Sequence, residues 1–225
     1  PLPALTQLAP GFGVALRDFD LDGYTDCYLV QNFKNPQIET GPVMGGMSVM
    51  LRGNPDAKGT GDRFILIPPT ESGLVVPGDA KSLSVVDVNR DHRPDLIVGI
   101  NNEAPQLYLN RTESSKRTWP IKLKGPEGNK PAVGARVQVE MEGMPLQVSE
   151  IQAGSGFLSA STTEVVVARP EDFSGEATVT IRWPDGRTDT AAHPVAAGGI
   201  VLEHKLPEPP AEEVEEETAA EDENS

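Results

Sequence analysis

Apolar residues along this chain fall in short runs whose alternation predicts strands rather than helices. Val133–Met141 and Ala177–Trp183 alternate apolar with polar side chains, a pattern typical of half-buried strands. Neither stretch shows the three-to-four-residue spacing that an amphipathic helix requires. The 22 Gly and 21 Pro residues interrupt the chain at frequent intervals, which favours many short strands joined by turns. The sequence therefore predicts an all-β fold without a helix of normal length.

Two segments in the first half of the chain resemble each other. One begins at Val14 (VALRDFDLDGYTDCYLVQN) and the other at Leu83 (LSVVDVNRDHRPDLIVGIN). In each segment an acidic loop lies between two apolar runs, so each is predicted to form strand, loop and strand. A repeated unit that cannot bury its apolar face alone is typical of an array such as a propeller. Two further apolar runs, Met47–Leu51 and Phe64–Ile67, would complete a blade of about four strands.

The acidic loop of each segment contains the oxygen donors of a candidate metal site. In the first loop, carboxylates occupy positions 1, 3, 5 and 9, and a glycine occupies position 6. Alternate residues of a tight loop point inward, so these oxygens converge, and Ca²⁺ takes about 6–8 oxygen ligands. Without a cation, the converging carboxylates would repel one another. The predicted ligands are Asp18, Asp20, Asp22, the backbone carbonyl of Tyr24 and Asp26 in the first loop, and Asp87, Asn89, Asp91, Arg93 and Asp95 in the second.

The pattern differs from an EF-hand calcium loop in two ways. Position 12 of the first loop is Leu29 instead of a bidentate glutamate, and predicted strands rather than helices flank the loop. The second loop has Asn89 at position 3 and His92 at position 6, where the first loop has an aspartate and Gly23. A histidine costs more than a glycine at a position that requires a positive φ. We therefore expect the first loop to bind Ca²⁺ more tightly than the second.

The charge, the cysteine content and the lengths of the apolar runs argue against several classes of protein. The net charge of −15, from 34 acidic and 19 basic residues, disfavours nucleic-acid binding because phosphate contacts require Lys and Arg. Residues 207–225 contain eight Glu and one Asp without Lys or Arg, and such a self-repelling segment is expected to be disordered. The single cysteine, Cys27, excludes an intramolecular disulfide and is expected to be buried. No apolar run approaches the roughly 18 residues of a membrane span.

Signals for catalysis or modification are weak. Gly154-Ser155-Gly156 lacks the G-x-S-x-G spacing of a nucleophilic serine, so a tight turn is the favoured interpretation. Asn110-Arg111-Thr112 matches the acceptor pattern for N-glycosylation, which has meaning only in a eukaryotic secretory pathway. The sequence therefore predicts a protein that is not an enzyme.

The first half of the chain resembles a known repeat family. Together with Gly11-Phe12-Gly13, the acidic loops make the stretch from Leu8 to Asn110 similar to FG-GAP/VCBS repeats, the blades of integrin-α-type propellers. The resemblance implies a β-propeller whose loops bind Ca²⁺, usually in secreted or cell-surface proteins. A propeller needs about 4–8 blades, and two are recognisable here. The other blades are expected upstream of Pro1 or from another chain, since open sheet edges invite association.

The second half resembles a different family. The stretch from Trp119 to Leu206 is similar to the ASPIC/UnbV domain, which also occurs in the cartilage acidic protein family. The family usually places this domain directly after FG-GAP repeats, which is the order in this chain. Val165–Ala168 departs from the family's pattern, which has a Phe-Gly-Leu-Gly-like stretch there. The matching residues are Trp119, Gly125, Asn129, Val133–Val137, Ala153–Ser159 and Arg182–Gly186.

These observations predict a chain of four parts. Residues 1–110 are expected to form two calcium-binding FG-GAP/VCBS propeller blades, and residues 111–117 a polar linker. Residues 118–206 are expected to form the ASPIC/UnbV domain as a small β-sandwich or barrel-like module. Residues 207–225 are expected to form a disordered acidic tail.

The predicted function is non-enzymatic calcium binding. Ca²⁺ would rigidify the blades, whose loops would serve adhesion or the recognition of a protein or glycan. The expected location is extracellular, at the cell surface or periplasmic. One alternative is a metal-dependent hydrolase or other enzyme, which requires two metals about 3.5–4 Å apart, whereas the repeat places the two loops on separate blades. The other alternative is a purely structural spacer.

Overall fold

The chain has an all-β fold, as the sequence predicts. Within the part that the computed structural model describes, fourteen strands are joined by turns and by a single four-residue helix. The acidic tail predicted at 207–225 lies outside the described residues. The described residues are 2–3, 6, 10–43, 46–58 and 62–205.

The first half forms two antiparallel sheets. The first sheet has the order β1-β2-β3-β4 and the second has the order β5-β6-β7. Each begins with the predicted unit of strand, acidic loop and strand. β7 has no counterpart in the sequence prediction, because three residues are too few to show an alternation. The elements are β1 (Gly11–Arg17), β2 (Asp26–Gln31), β3 (Val49–Gly53), β4 (Phe64–Ile67), α1 (Pro69–Ser72), β5 (Ala80–Val86), β6 (Asp95–Ile100) and β7 (Gln106–Tyr108).

One hydrophobic core joins these two sheets. Tyr28 and Val30 of the first sheet belong to the same buried cluster as Leu83 and Val98 of the second. Burial of a large aliphatic side chain contributes about 1.5–3 kcal/mol, so this cluster holds the two sheets together. Cys27 is buried on the opposite face of the first sheet, as predicted.

The second half forms two further sheets around its own core. One sheet has the order β10-β9-β12-β13, and the other has the order β11-β8-β14, in which β14 runs parallel to β8. Trp119 and Trp183 are fully buried between these sheets, so both are core residues as predicted. None of the four sheets closes on itself. The strands are β8 (Lys116–Lys124), β9 (Arg136–Glu140), β10 (Gln147–Glu150), β11 (Val165–Pro170), β12 (Glu176–Arg182), β13 (Thr188–Pro194) and β14 (Ile200–Glu203).

A segment between β10 and β11 connects the two halves. Along the edge of β5, the N–H of Leu83 donates to the carbonyl of Gly156 at 2.9 Å. Two residues further along the strand, Val85 accepts a hydrogen bond from the N–H of Thr162 at 2.9 Å. The Ser161 hydroxyl oxygen accepts from the N–H of Val85 at 3.0 Å. This pairing satisfies backbone groups that would otherwise be exposed at the edge of β5.

Candidate metal centre

The first acidic loop, between β1 and β2, brings three predicted ligands together. Oxygen atoms of Asp18, Asp20 and Asp22 lie within 4.8 Å of one another. Backbone N–H groups orient these carboxylates: the N–H of Gly23 donates to Asp18 Oδ2 at 2.8 Å, and the N–H of Tyr24 donates to Asp22 Oδ1 at 2.7 Å. The N–H of Asp22 donates to Asp20 Oδ1 at 3.2 Å. Each carboxylate is therefore held in place by the chain that it belongs to.

The backbone of this loop turns sharply at two positions. Leu21, at position 4, has a φ of 62°, and Gly23, at position 6, has a φ of 92°. Leu21 is almost fully buried, so packing of its side chain offsets the cost of the left-handed backbone. Glycine adopts a positive φ without that cost, which explains why it occupies position 6 of the first loop.

Electrostatics in this loop favours a bound cation. Burial raises the pKa of Asp18 to about 8, against the lowering effect of the hydrogen bond from Gly23. The neighbouring carboxylates raise the pKa of Asp18 further. Burial also raises the pKa of Asp22. A divalent cation would reverse these shifts by favouring the ionised forms. The donors are all hard oxygen atoms, so this set of residues fits Ca²⁺.

Asp26 has a different environment from the other three aspartates. It is completely buried, and burial raises its pKa to about 7. Its Oδ2 accepts a hydrogen bond from the N–H of Phe19 at 2.8 Å, and its Oδ1 accepts one from the N–H of Gly53 at 2.8 Å. Asp26 thereby ties the start of the loop to the end of β3. The Asp26 carboxylate is not part of the cluster formed by Asp18, Asp20 and Asp22.

The second loop, between β5 and β6, repeats the hydrogen bonds of the first. The N–H of His92 donates to Asp87 Oδ2 at 2.9 Å, and the N–H of Arg93 donates to Asp91 Oδ1 at 2.9 Å. Position 3 differs, because the amide nitrogen of Asn89 donates to Asp91 Oδ2 at 2.9 Å. His92 has a φ of 61° and Arg90 a φ of 63°. Position 6 therefore requires a positive φ in both loops.

Asp95 occupies the position that Asp26 occupies in the first loop and has equivalent contacts. It is completely buried. Its Oδ2 accepts from the N–H of Val88 at 2.9 Å, and its Oδ1 accepts from the N–H of Asn110 at 2.7 Å. In both loops the ninth-position aspartate thus accepts hydrogen bonds from the second residue of its loop and from a residue at the end of an adjacent strand or just after it.

Asn110 connects the two loops, a role that the sequence does not indicate. Its side-chain nitrogen donates to the carbonyl of Phe19 in the first loop at 2.8 Å, while its backbone N–H reaches Asp95 in the second. The atom that would carry an N-linked glycan is therefore already engaged in a hydrogen bond. The N-glycosylation pattern gives no indication of these two hydrogen bonds, because both partners of Asn110 are distant in sequence.

Both loops also contact the C-terminal half. A Cβ atom added at Gly23 would lie 2.6 Å from the ring of Pro145, so the first loop packs closely on the turn before β10. In the second loop, His92 Nδ1 lies 3.8 Å from a carboxylate oxygen of Glu164, next to β11. The geometry of both loops is therefore linked to the position of the second half.

Comparison with known families supports the resemblance of the second half. The family model described as ASPIC and UnbV matches residues 125–208. This match includes all strands from β9 to β14, so the C-terminal part of the chain is similar to that family. No curated protein matches the chain. In the residues that the structure describes, no helix is long and apolar enough to cross a membrane.

Proposed function

We propose that the chain is a non-enzymatic calcium-binding module that acts in adhesion or recognition outside the cytoplasm. The observation that carries this proposal is the convergence of Asp18, Asp20 and Asp22 in a loop whose backbone orients all three carboxylates. A cation there would neutralise buried like charges and fix the connection between β1 and β2. Asp87, Asn89 and Asp91 would form a second, weaker site between β5 and β6.

The two N-terminal sheets serve in this proposal as FG-GAP/VCBS propeller blades. One face of the first sheet packs on the second sheet, and the other face is apolar as well. Val14 and Leu16 are exposed on that second face, where Leu29, Phe64 and Leu66 are half-buried. Such a face suits a further blade, which packs on its neighbour through aliphatic side chains. The remaining blades would come from upstream sequence or from another chain.

The ligand of the proposed module is a protein or a glycan. A cavity of about 450 Å³ lies between the two N-terminal sheets, next to the first loop. Asp20 and Arg52 line it together with the apolar side chains of Met50, Leu74 and Tyr108. Glu71 and Arg111 also line it, and cavities of this size with a small number of placed polar and charged groups are common binding sites. A calcium ion at the first loop would fix one wall of this cavity.

Calcium titration of the full chain tests the proposal. Saturation at about a hundred times the dissociation constant stabilises the fold by about 2.7 kcal/mol, which raises the melting temperature by roughly 5–10 °C. Asp22→Ala should abolish the tighter binding step, and Asp91→Ala the weaker one. Asp172→Ala, at an exposed carboxylate of the second half, is the matched control. Equal losses in the two loop variants would contradict the ranking, and an EDTA-insensitive melting curve would contradict calcium binding altogether.

Recognition and a spacer role are distinguished by capture experiments. The immobilised chain is exposed to an array of glycans and extracellular protein domains, once in calcium and once in EDTA. A recognition module should retain a ligand in calcium and release it in EDTA, and the Asp22→Ala variant should retain less. A chain that captures nothing in either condition would be a spacer.

A further inference from the structure

A basic pocket lies on the second half, far along the sequence from the acidic loops. β8 alternates buried Ile121 and Leu123 with exposed Lys122 and Lys124, so both lysines lie on the outer face of the sheet β11-β8-β14. Lys130 completes a pocket of about 510 Å³ together with these lysines and the end of β14. The pocket is positively charged although the chain carries a net charge of −15.

The pocket contains more positive charge than its own acid can balance. Lys124 forms an ion pair with Glu203 of β14. The hydrogen bond and charge of Lys124, together with the more distant charges of Lys205 and Lys130, hold the pKa of Glu203 below its usual range. One carboxylate therefore faces several ammonium groups. Among the described residues, Lys122 and Lys130 make no ion pair within 4.0 Å.

The chain itself contains a polyanionic segment shortly after β14 in the sequence. Lys205 is the last described residue and lies two residues after Glu203, the end of β14, which lines the pocket. The segment 207–225 has eight Glu, one Asp and no basic residue. Nineteen residues reach up to about 60 Å when extended, so this segment can return to the pocket without strain. Tethering gives it an effective concentration in the millimolar range.

We propose that the pocket formed by Lys122, Lys124 and Lys130 is a polyanion-binding site that the chain's own segment 207–225 occupies in cis. The contact is electrostatic, because the exposed ammonium groups and the carboxylates of the segment attract each other over a screening length of about 8 Å at physiological salt. An external polyanion such as a sulfated glycan would compete with the segment for the same ammonium groups. This inference does not depend on calcium binding by the acidic loops.

Paramagnetic relaxation measured by NMR on the full chain tests the contact. A spin label is attached at Ser225→Cys, and Cys27 stays unlabelled because it is buried and desolvation raises its pKa to about 11. We expect broadening of the backbone amides of residues 122–130 that falls at least threefold in 0.5 M NaCl. We expect equally weak broadening, already at low salt, in a variant in which five glutamates are changed to Gln: Glu212, Glu213, Glu215, Glu216 and Glu217.

Charge reversal at the pocket provides the decisive comparison. The double variant Lys122→Glu and Lys130→Glu should lose the broadening, whereas Lys58→Glu, at an exposed lysine of the first half, should keep it. The five-glutamine variant should bind a heparin oligosaccharide about tenfold more tightly than the parent chain. Broadening that survives the pocket double variant, or equal heparin affinity in the parent and the five-glutamine variant, would overturn the proposal.

Discussion

The two acidic loops share one backbone geometry but differ in the charge that they present. In both, the carboxylate at position 1 accepts N–H groups from positions 5 and 6. Both also have a positive φ at positions 4 and 6. At position 3 the first loop has Asp20, whose charge adds to the cluster, whereas the second has Asn89, whose amide nitrogen bonds to Asp91. Carboxylate-to-backbone hydrogen bonds thus give both loops the same shape, and in the proposed sites the residue at position 3 would set how strongly each loop attracts a cation.

Replacing the ninth-position aspartates should cause the largest loss of stability, and the loss should be similar in the two loops. Asp26→Ala and Asp95→Ala each leave two backbone N–H groups without their acceptor in a buried site. We expect each variant to lose roughly 3 kcal/mol of unfolding free energy, because each unpaired buried donor costs about 1–3 kcal/mol. Denaturant unfolding in EDTA measures this loss without any cation. A loss at Asp26→Ala that appears only in calcium would identify Asp26 as a ligand instead.

The sixth position should show the sharpest difference between the loops. Gly23→Ala introduces a Cβ atom at a φ of 92° and 2.6 Å from the Pro145 ring, so we expect a loss of about 2 kcal/mol. His92→Gly relieves the left-handed backbone but adds freedom to the unfolded chain, so its effect should stay within about 0.5 kcal/mol. Thermal unfolding of both variants measures these effects. A loss of about 1 kcal/mol or less at Gly23→Ala would show that the contact with Pro145 adds nothing to the cost of the left-handed backbone.

The sequence predicts the fold in broad outline because the strongest patterns are local. Alternation predicts β9 and β12, and the acidic repeats predict the hairpins β1–β2 and β5–β6. The sequence does not predict β13, because Thr188–Pro194 is exposed along nearly its whole length and has no apolar face. The hydrogen bond between Asp26 and Gly53 and the bridge through Asn110 join residues far apart in sequence, so no local pattern could indicate them.

Exchanging position 3 between the loops should exchange their calcium affinities. Asn89→Asp adds a carboxylate to the second loop, so we expect about tenfold tighter calcium binding there, while Asp20→Asn should weaken the first loop about tenfold. Calorimetric titration of each variant measures these changes. In EDTA, Asn89→Asp should lower the melting temperature, because the new charge repels Asp91 and the amide hydrogen bond is lost. If neither variant changes the calcium affinity, the charge at position 3 does not determine how tightly the loops bind calcium.

Removing the Asn110 side chain, which links the two loops, should cause the smallest loss of stability. The variant also tests whether the two loops are coupled. Asn110→Ala removes the hydrogen bond to the Phe19 carbonyl, so we expect a loss of about 1 kcal/mol and roughly fivefold faster hydrogen exchange at amides of the first loop. Thr112→Ala is the matched control, because it destroys the same sequon but keeps the side chain of Asn110. Exchange is followed by NMR in EDTA. If Asn110→Ala speeds exchange only in the second loop, the two loops are independent, and the bridge contributes to local structure alone.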